Sequence, residues 1–185
     1  MKQELLIGIT ESGVMHTDAD PPIPLETKFQ MVKESGVYDY FDKTPPLELE
    51  DDYRRCSEKY ELPILAGGWF YVLGRDEDLL MENLRLGARL GSLVHNTQIM
   101  MDHQDGSLVS DEQVVEIYLR AYETGEACGC RPTFEVHVNM WSEDFRRIEK
   151  VADLVEKQGI PFRMTLDHSH VIFKIDNPRE QEVFN

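Results

Sequence analysis

Two short runs, Thr133-Phe-Glu-Val-His-Val-Asn139 and Met164-Thr-Leu-Asp-His-Ser-His170, flank one amphipathic segment, and their reading decides the fold. Between them Phe145, Ile148, Ala152 and Val155 recur at helical spacing, and Gly159 ends the run. The pattern predicts a strand over 133–139, a helix, and a second strand closing near His170. Alternation puts Glu135, His137 and Asn139 on one face of the first strand and Val136 and Val138 on the other. In a parallel sheet the valine face meets helices, so the polar face looks into a barrel or cleft. A glutamate and an imidazole there are costly unless they meet a metal, a partner or a substrate. Where the second strand breaks into a turn, positions three apart can converge, so Asp167 and His170 could join Glu135 in one site. The alternative is that Asp167 caps the next helix while His168 and His170 face solvent. Functional residues concentrate at the C-terminal ends of such strands, which favours the shared site.

Upstream, the same alternation of strand and helix repeats. Leu5-Leu-Ile-Gly-Ile-Thr10 reads as a first strand buried on both faces, followed by a loop over 11–24 carrying His16, Asp18 and Asp20. Leu25, Phe29 and Val32 mark a helix that Gly36 ends, and Val37–Asp42 is the second strand. Leu49, Tyr53, Cys56 and Tyr60 share one face of the next helix. Pro63–Ala66 is the third strand, and Gly67-Gly68 lets the backbone turn sharply or approach a ligand closely. Leu80, Leu84 and Gly87-Ala88 form a helix ending at Gly91, and Ser92–Ile99 is the fourth strand. Ser110 and Gln113 have capping-box spacing ahead of a helix with Val114, Ile117, Tyr118 and Ala121 on one face. Val171–Pro178 reads as a connection or the start of a further helix. Six strands and five helices alternate without a composition break, which predicts one α/β domain over residues 1–185.

Several residues near the expected strand ends are candidates for a binding wall. Trp69, with Phe70 and Tyr71, follows the third strand, and Trp141 follows the fifth. Aromatic rings stack on the apolar face of a sugar. His95 in the fourth strand and His137 in the fifth are candidate pocket residues, and Gln98 is a weaker one for a substrate hydroxyl.

Glu135 on one strand and Asp167-x-x-His170 closing the next resemble the xylose-isomerase-like TIM-barrel superfamily, which includes sugar isomerases and epimerases, inosose-processing enzymes and AP endonucleases. The likeness extends more diffusely to Leu62–Gly68, Leu84–Gly91 and the strand around His95. It implies a TIM-barrel-like fold with six of eight βα units in this chain, since such barrels need about 250 residues. It also implies a divalent cation (manganese, magnesium, cobalt or zinc) and proton abstraction next to a carbonyl of a small sugar, keto-sugar or polyol. On that pattern Glu135 and Asp167 are the metal ligands, and Glu135 doubles as the base. His170 binds substrate oxygens as the second catalytic residue, with His95, His137, Trp69 and Trp141 lining the pocket. A lyase acting on a keto-sugar or keto-inositol, or a non-catalytic partial barrel that binds carbohydrate, would use the same parts. Two open sheet edges lead us to expect self-association or a complementing polypeptide.

Composition narrows the classes. Nineteen basic against thirty-five acidic residues give a formal charge of −16, which repels phosphate backbones. The only basic pairs noted, Arg54-Arg55 and Arg146-Arg147, lie on helices rich in acid, so no nucleic-acid partner is expected. Three cysteines, two of them in Cys128-Gly-Cys130, argue against a disulfide framework and fit a reducing cytoplasm. The N-terminus leads into a strand rather than a secretory segment, and no apolar run approaches the roughly 20 residues that span a membrane.

Overall fold

In the computed structural model, residues 5–14 and 22–173 are described. The loop residues His16, Asp18 and Asp20, and the stretch beyond residue 173, lie outside them. Six parallel strands form one sheet in the order β1-β2-β3-β4-β5-β6. They are β1 (Gly8–Thr10), β2 (Tyr40–Asp42), β3 (Ile64–Tyr71), β4 (Val94–Ile99), β5 (Arg131–Val136) and β6 (Met164–Leu166). Helices follow them as α1 (Leu25–Ser35), α2 (Glu50–Tyr60), α3 (Glu77–Leu90), α4 (Asp111–Cys128), α5 (Phe145–Glu156) and α6 (His168–Phe173). Sequential, all-parallel pairing with a helix after each strand is the curled sheet of a partial TIM barrel.

The helices start and stop where local chemistry dictates. Ser110 caps α4 by accepting from Gln113 N, while Gln113 returns the bond to the Ser110 amide. Gly36, at φ 65°, ends α1 in the left-handed conformation. The core sits between helices and sheet in two parts. Phe29 stacks on Phe41 at 4.4 Å between ring centroids, with Tyr53 edge-on, joining α1, α2 and β2. Leu80, Leu84, Val114, Tyr118, Phe134, Val151 and Val155 join α3, α4 and α5 to β5.

Three strands differ from the sequence expectation. Pairing in β1 starts only at Gly8, and Leu5, Leu6 and Ile7 are exposed, because no strand covers the outer edge of β1 among the described residues. Strand β3 does not turn at Gly67-Gly68 but runs through to Tyr71. The glycines are there because neighbours approach closely. A Cβ on Gly67 would lie 2.3 Å from Thr44 Oγ1, and one on Gly68 2.8 Å from the Asn96 carbonyl. Strand β5 ends at Val136 rather than Asn139, where a turn places Asn139 at φ 61°.

Register fixes which side chains share a face. Gly68 pairs with Asn96, Phe70 with Gln98, Asn96 with Thr133 and Glu135 with Thr165. These residues line the face away from the helices. Trp69, Tyr71, His95, Thr97, Ile99 and Phe134 belong to the face that meets them. A methyl group at position 67 would have to displace the Thr44 hydroxyl, 2.3 Å away, and press on the Lys43 carbonyl at 3.1 Å. Gly67→Ala is therefore expected to destabilise the protein by about 1–3 kcal/mol in urea unfolding. An unchanged midpoint would contradict the close approach.

Candidate active site

The polar face carries its chemistry at the C-terminal ends of the strands. Glu135, in β5, is 6% exposed, and its Oε2 accepts from Asn96 Nδ2 at 2.6 Å and from the Gln98 side-chain amide. Both donors come from β4, two residues apart on the same face, so alternation alone aims them at Glu135. The Asn96 Oδ1 on the other side of that amide is buried without a protein partner. Thr133 and Thr165 close the β5–β6 seam below with a hydroxyl–hydroxyl bond of 2.7 Å.

Two histidines reach Glu135 from outside the strands. The turn after β5 presents His137, and Ser142 pins that turn. Its hydroxyl donates to the Glu135 carbonyl, while its oxygen accepts from the His137 amide at 3.2 Å. His137 Nδ1 donates to the Val138 carbonyl at 2.6 Å, which leaves Nε2 as the ring's electron-pair donor. His170, on α6, packs against it with ring centroids 3.6 Å apart. One ligand atom from each of Glu135, His137 and His170 lies within 4.8 Å of the other two. A carboxylate with two imidazoles is a donor set suited to manganese, cobalt, zinc or iron. The residues fit a divalent cation.

Asp167 is placed differently from its expected role as a ligand. Strand β6 stops at Leu166, so Asp167 becomes the residue ahead of α6, and its Oδ1 accepts from the Ser169 amide and hydroxyl. Those bonds, the hydroxyl's first, hold its carboxyl below the usual range. Its Oδ2 lies 3.5 Å from His170 Nε2, so it touches the cluster through His170.

Two candidate pocket residues, His95 and Trp141, point elsewhere, and each is a correction, while Trp69 stays at the rim of the cleft. His95 is 1% exposed on the helix side of β4, one residue out of phase with Asn96 and Gln98. It sits in a buried chain in which Asn83 Nδ2 donates to the Tyr71 oxygen at 2.8 Å. The Tyr71 hydroxyl, 2.6 Å from His95 Nε2, then donates onward, and His95 Nδ1 faces Thr44 Oγ1 at 3.3 Å. Burial pushes His95 down to about 3, so it stays neutral. Trp69, on the helix-side phase of β3, is 46% exposed and lines the rim of the cleft, and its neighbour Phe70 takes the inward position beside it, edge-on to His137 at 6.0 Å. Trp141 is 1% exposed in the α4–α5 core, with Nε1 3.3 Å from Asp111 Oδ1, because the turn at Asn139 redirects the chain outward.

Sequence reading missed Asp42 altogether. It ends β2 on the inward face, and burial first, then the charge of Glu135, raises its carboxyl above the ordinary range. The two carboxylates are thus close enough for their charges to interact. Its last-in-strand position was the available signal. Asp42 lines a cleft of roughly 400 Å3 together with Lys43, Trp69, Phe70 and the two residues that hold Glu135, Asn96 and Gln98. Glu11 anchors the β1 rim. Burial would raise its carboxyl, but bonds from Lys28 at 2.6 Å, Lys43 and Tyr53 outweigh that and hold it at about 2. Elsewhere the basic pairs are neutralised locally, Arg54 by Glu50, Arg55 by Asp52, Arg146 by Asp144 and Arg147 by Asp111. No helix among the described residues is long and apolar enough to cross a membrane.

No protein-family model matches the sequence, and neither does any curated protein. Solved structures do match. A 3-keto-D-glucoside 4-epimerase, YcjR, from E. coli is 12% identical with a TM-score of 0.68, over 98% of this chain and 75% of that one. An AP endonuclease, family 2, from Brucella melitensis is 14% identical with a TM-score of 0.66, over 98% and 76%. A xylose isomerase-like TIM barrel protein from Mycobacterium smegmatis in complex with magnesium is 12% identical with a TM-score of 0.60, over 88% and 64%. The chain thus spans three-quarters of the first two and under two-thirds of the third. These likenesses establish a partial TIM-barrel fold and, at such identity, nothing further.

The neutral, buried His95 has a consequence for stability. Its folded pKa is depressed, so below its unfolded value of 6.5 only the unfolded chain takes up this proton, and stability falls as pH drops from there toward 3. The slope approaches about 1.4 kcal/mol per pH unit from this group. Between pH 6.5 and 5, above most carboxylate titration, the native protein should lose stability steadily in urea titrations while His95→Gln stays nearly flat. Parallel pH profiles would refute the placement.

Proposed function

We propose that this protein is a divalent-metal-dependent isomerase or epimerase that moves a proton next to the carbonyl of a small sugar, keto-sugar or polyol. The observation that carries the reading is the convergence of Glu135, His137 and His170 at the C-terminal end of the sheet, with the Asp42 carboxyl raised by burial and by the charge of Glu135. The −16 charge and the locally paired arginines favour a small neutral substrate over a phosphodiester backbone. The likeness to a 3-keto-D-glucoside epimerase and to a magnesium complex points the same way.

In this reading Glu135, His137 and His170 hold the cation, and Asp167 orients His170 from behind. A bound divalent cation polarises adjacent carbonyl and hydroxyl oxygens and so acidifies the carbon between them. Asp42, near enough for the charge of Glu135 to act on it, carries a carboxyl of raised basicity, the property a proton-transferring group needs. Asn96 and Gln98 fix Glu135, and their amides with Lys43 offer hydrogen bonds to substrate hydroxyls. Phe70 offers a ring face to the sugar's apolar side.

Hydrogen–deuterium exchange by NMR on a panel of keto-hexoses in heavy water tests this reading. We expect exchange at the carbon next to the carbonyl, with product mass otherwise retained, abolished by chelation and restored by manganese. Asp42→Asn should cut the rate by at least about 100-fold while the metal remains bound. Glu135→Gln should release the metal. Exchange indifferent to chelation and to both variants, loss of water from the product, or cleavage of an abasic-site duplex would each overturn the assignment.

A further inference from the structure

A second pocket opens on the other side of the rim that Trp69 forms. It lies between the β2–α2 connection and the first half of α3 and holds roughly 360 Å3. Pro45, Pro46, Leu47, Leu79 and Leu86 make it predominantly apolar, with Trp69 as the aromatic wall. Leu47, Trp69 and Leu79 are all more exposed than a folded chain leaves large apolar groups without reason. The concave cleft and this pocket share Lys43, Thr44 and Trp69, so one wall separates a polar chamber from an apolar one.

The floor of the pocket is preformed. Thr44 and Asn83, which line it, are the two ends of the buried chain Asn83–Tyr71–His95–Thr44. That chain ties α3, β3, β4 and the β2–α2 connection together with polar groups whose partners are already internal. Their mutual bonds leave the pocket's apolar side chains as its main binding surface. A cavity of about 150 Å3 accommodates a benzene ring, so this one has room for an aromatic ring together with its linking atoms.

We propose that the pocket binds an apolar, ring-bearing substituent of the same sugar derivative whose polar part occupies the concave cleft. The ligand class is thus a glycoside with an aromatic or comparably apolar aglycone, lying across the Lys43–Thr44 and Trp69 rim. This deepens the proposed function and rests on it for the sugar half alone. The apolar half stands on the pocket itself. Stacking on Trp69 and enclosure by Leu79 and Leu86 supply the selectivity, and the shared rim supplies the route between chambers.

The test compares methyl β-D-glucopyranoside, phenyl β-D-glucopyranoside and phenol by titration calorimetry and tryptophan fluorescence. The chain has two tryptophans, and Trp141 is buried in the core, so fluorescence changes report Trp69. We expect the phenyl glycoside to bind at least about tenfold more tightly than the methyl glycoside, with a change in tryptophan emission that phenol alone reproduces. Leu79→Asp places a carboxylate in the first turn of α3, where the helix tolerates it, and should bring the phenyl-to-methyl ratio to within twofold. Circular dichroism checks that this variant is folded, and Leu86→Ala should lower the same ratio in parallel. Equal affinities for the two glycosides, a preference that survives in both variants, or no phenol-dependent emission change overturns the proposal. Failure of the sugar reading looks different. There, phenol still binds in a Leu79-dependent way, whereas Glu135→Gln and Asp42→Asn leave methyl glucoside affinity untouched.

Discussion

The carboxylate of Glu135 is the constraint around which this sheet is arranged. A glutamate 6% exposed on a sheet face must be compensated, since an uncompensated buried charge costs several kcal/mol. Two amides from β4 supply part of the compensation, and both reach it only because Asn96 and Gln98 share its face in the parallel register. The imidazoles of His137 and His170 lie against the same carboxylate, with one ligand atom from each of the three within 4.8 Å of the others. The turn that delivers His137 depends on Ser142, which bonds to the Glu135 carbonyl, so the same residue organises both its side-chain and its backbone surroundings.

The helix side of the sheet solves the opposite problem. Its polar groups are not presented to a ligand but closed on one another, in the chain from Asn83 through Tyr71 and His95 to Thr44. Satisfied internally, such a network rigidifies the strands that carry the site instead of competing for its ligand. Glu11 does comparable work at the β1 rim, gathering Lys28, Lys43 and Tyr53 from three segments. Lys43 is thereby held beside Asp42 at the mouth of the cleft.

How much of this was legible in the sequence depended on whether a strand's two faces differ. In β5 the alternation of Glu135 with Val136 is unambiguous, and its inward carboxylate could be read directly. Trp69-Phe70-Tyr71 is aromatic on both faces and His95-Asn-Thr-Gln98 is polar on both, so composition leaves their phase open. The pairing of Gly68 with Asn96 settles it, turning Phe70, Asn96 and Gln98 inward and Trp69 and His95 outward. Trp141 and Asp167 were misjudged for another reason. Both follow strands that stop early, and a turn at Asn139 or a helix starting at His168 then decides the side chain's direction. Such endings depend on local turn chemistry that hydrophobic periodicity does not encode. Asp42 needed the curvature of the whole sheet to bring it near Glu135, a relation no local pattern contains.

The central claim is that Glu135, His137 and His170 meet on one cation. Pulsed electron paramagnetic resonance on the protein loaded with manganese and labelled with 15N-histidine measures it directly, because each coordinated imidazole couples to the metal's electron spin. The account predicts coupling to two histidine nitrogens, reduced to one in His137→Gln and in His170→Gln alike. Manganese bound without any histidine coupling, or coupling unchanged in both variants, would contradict it.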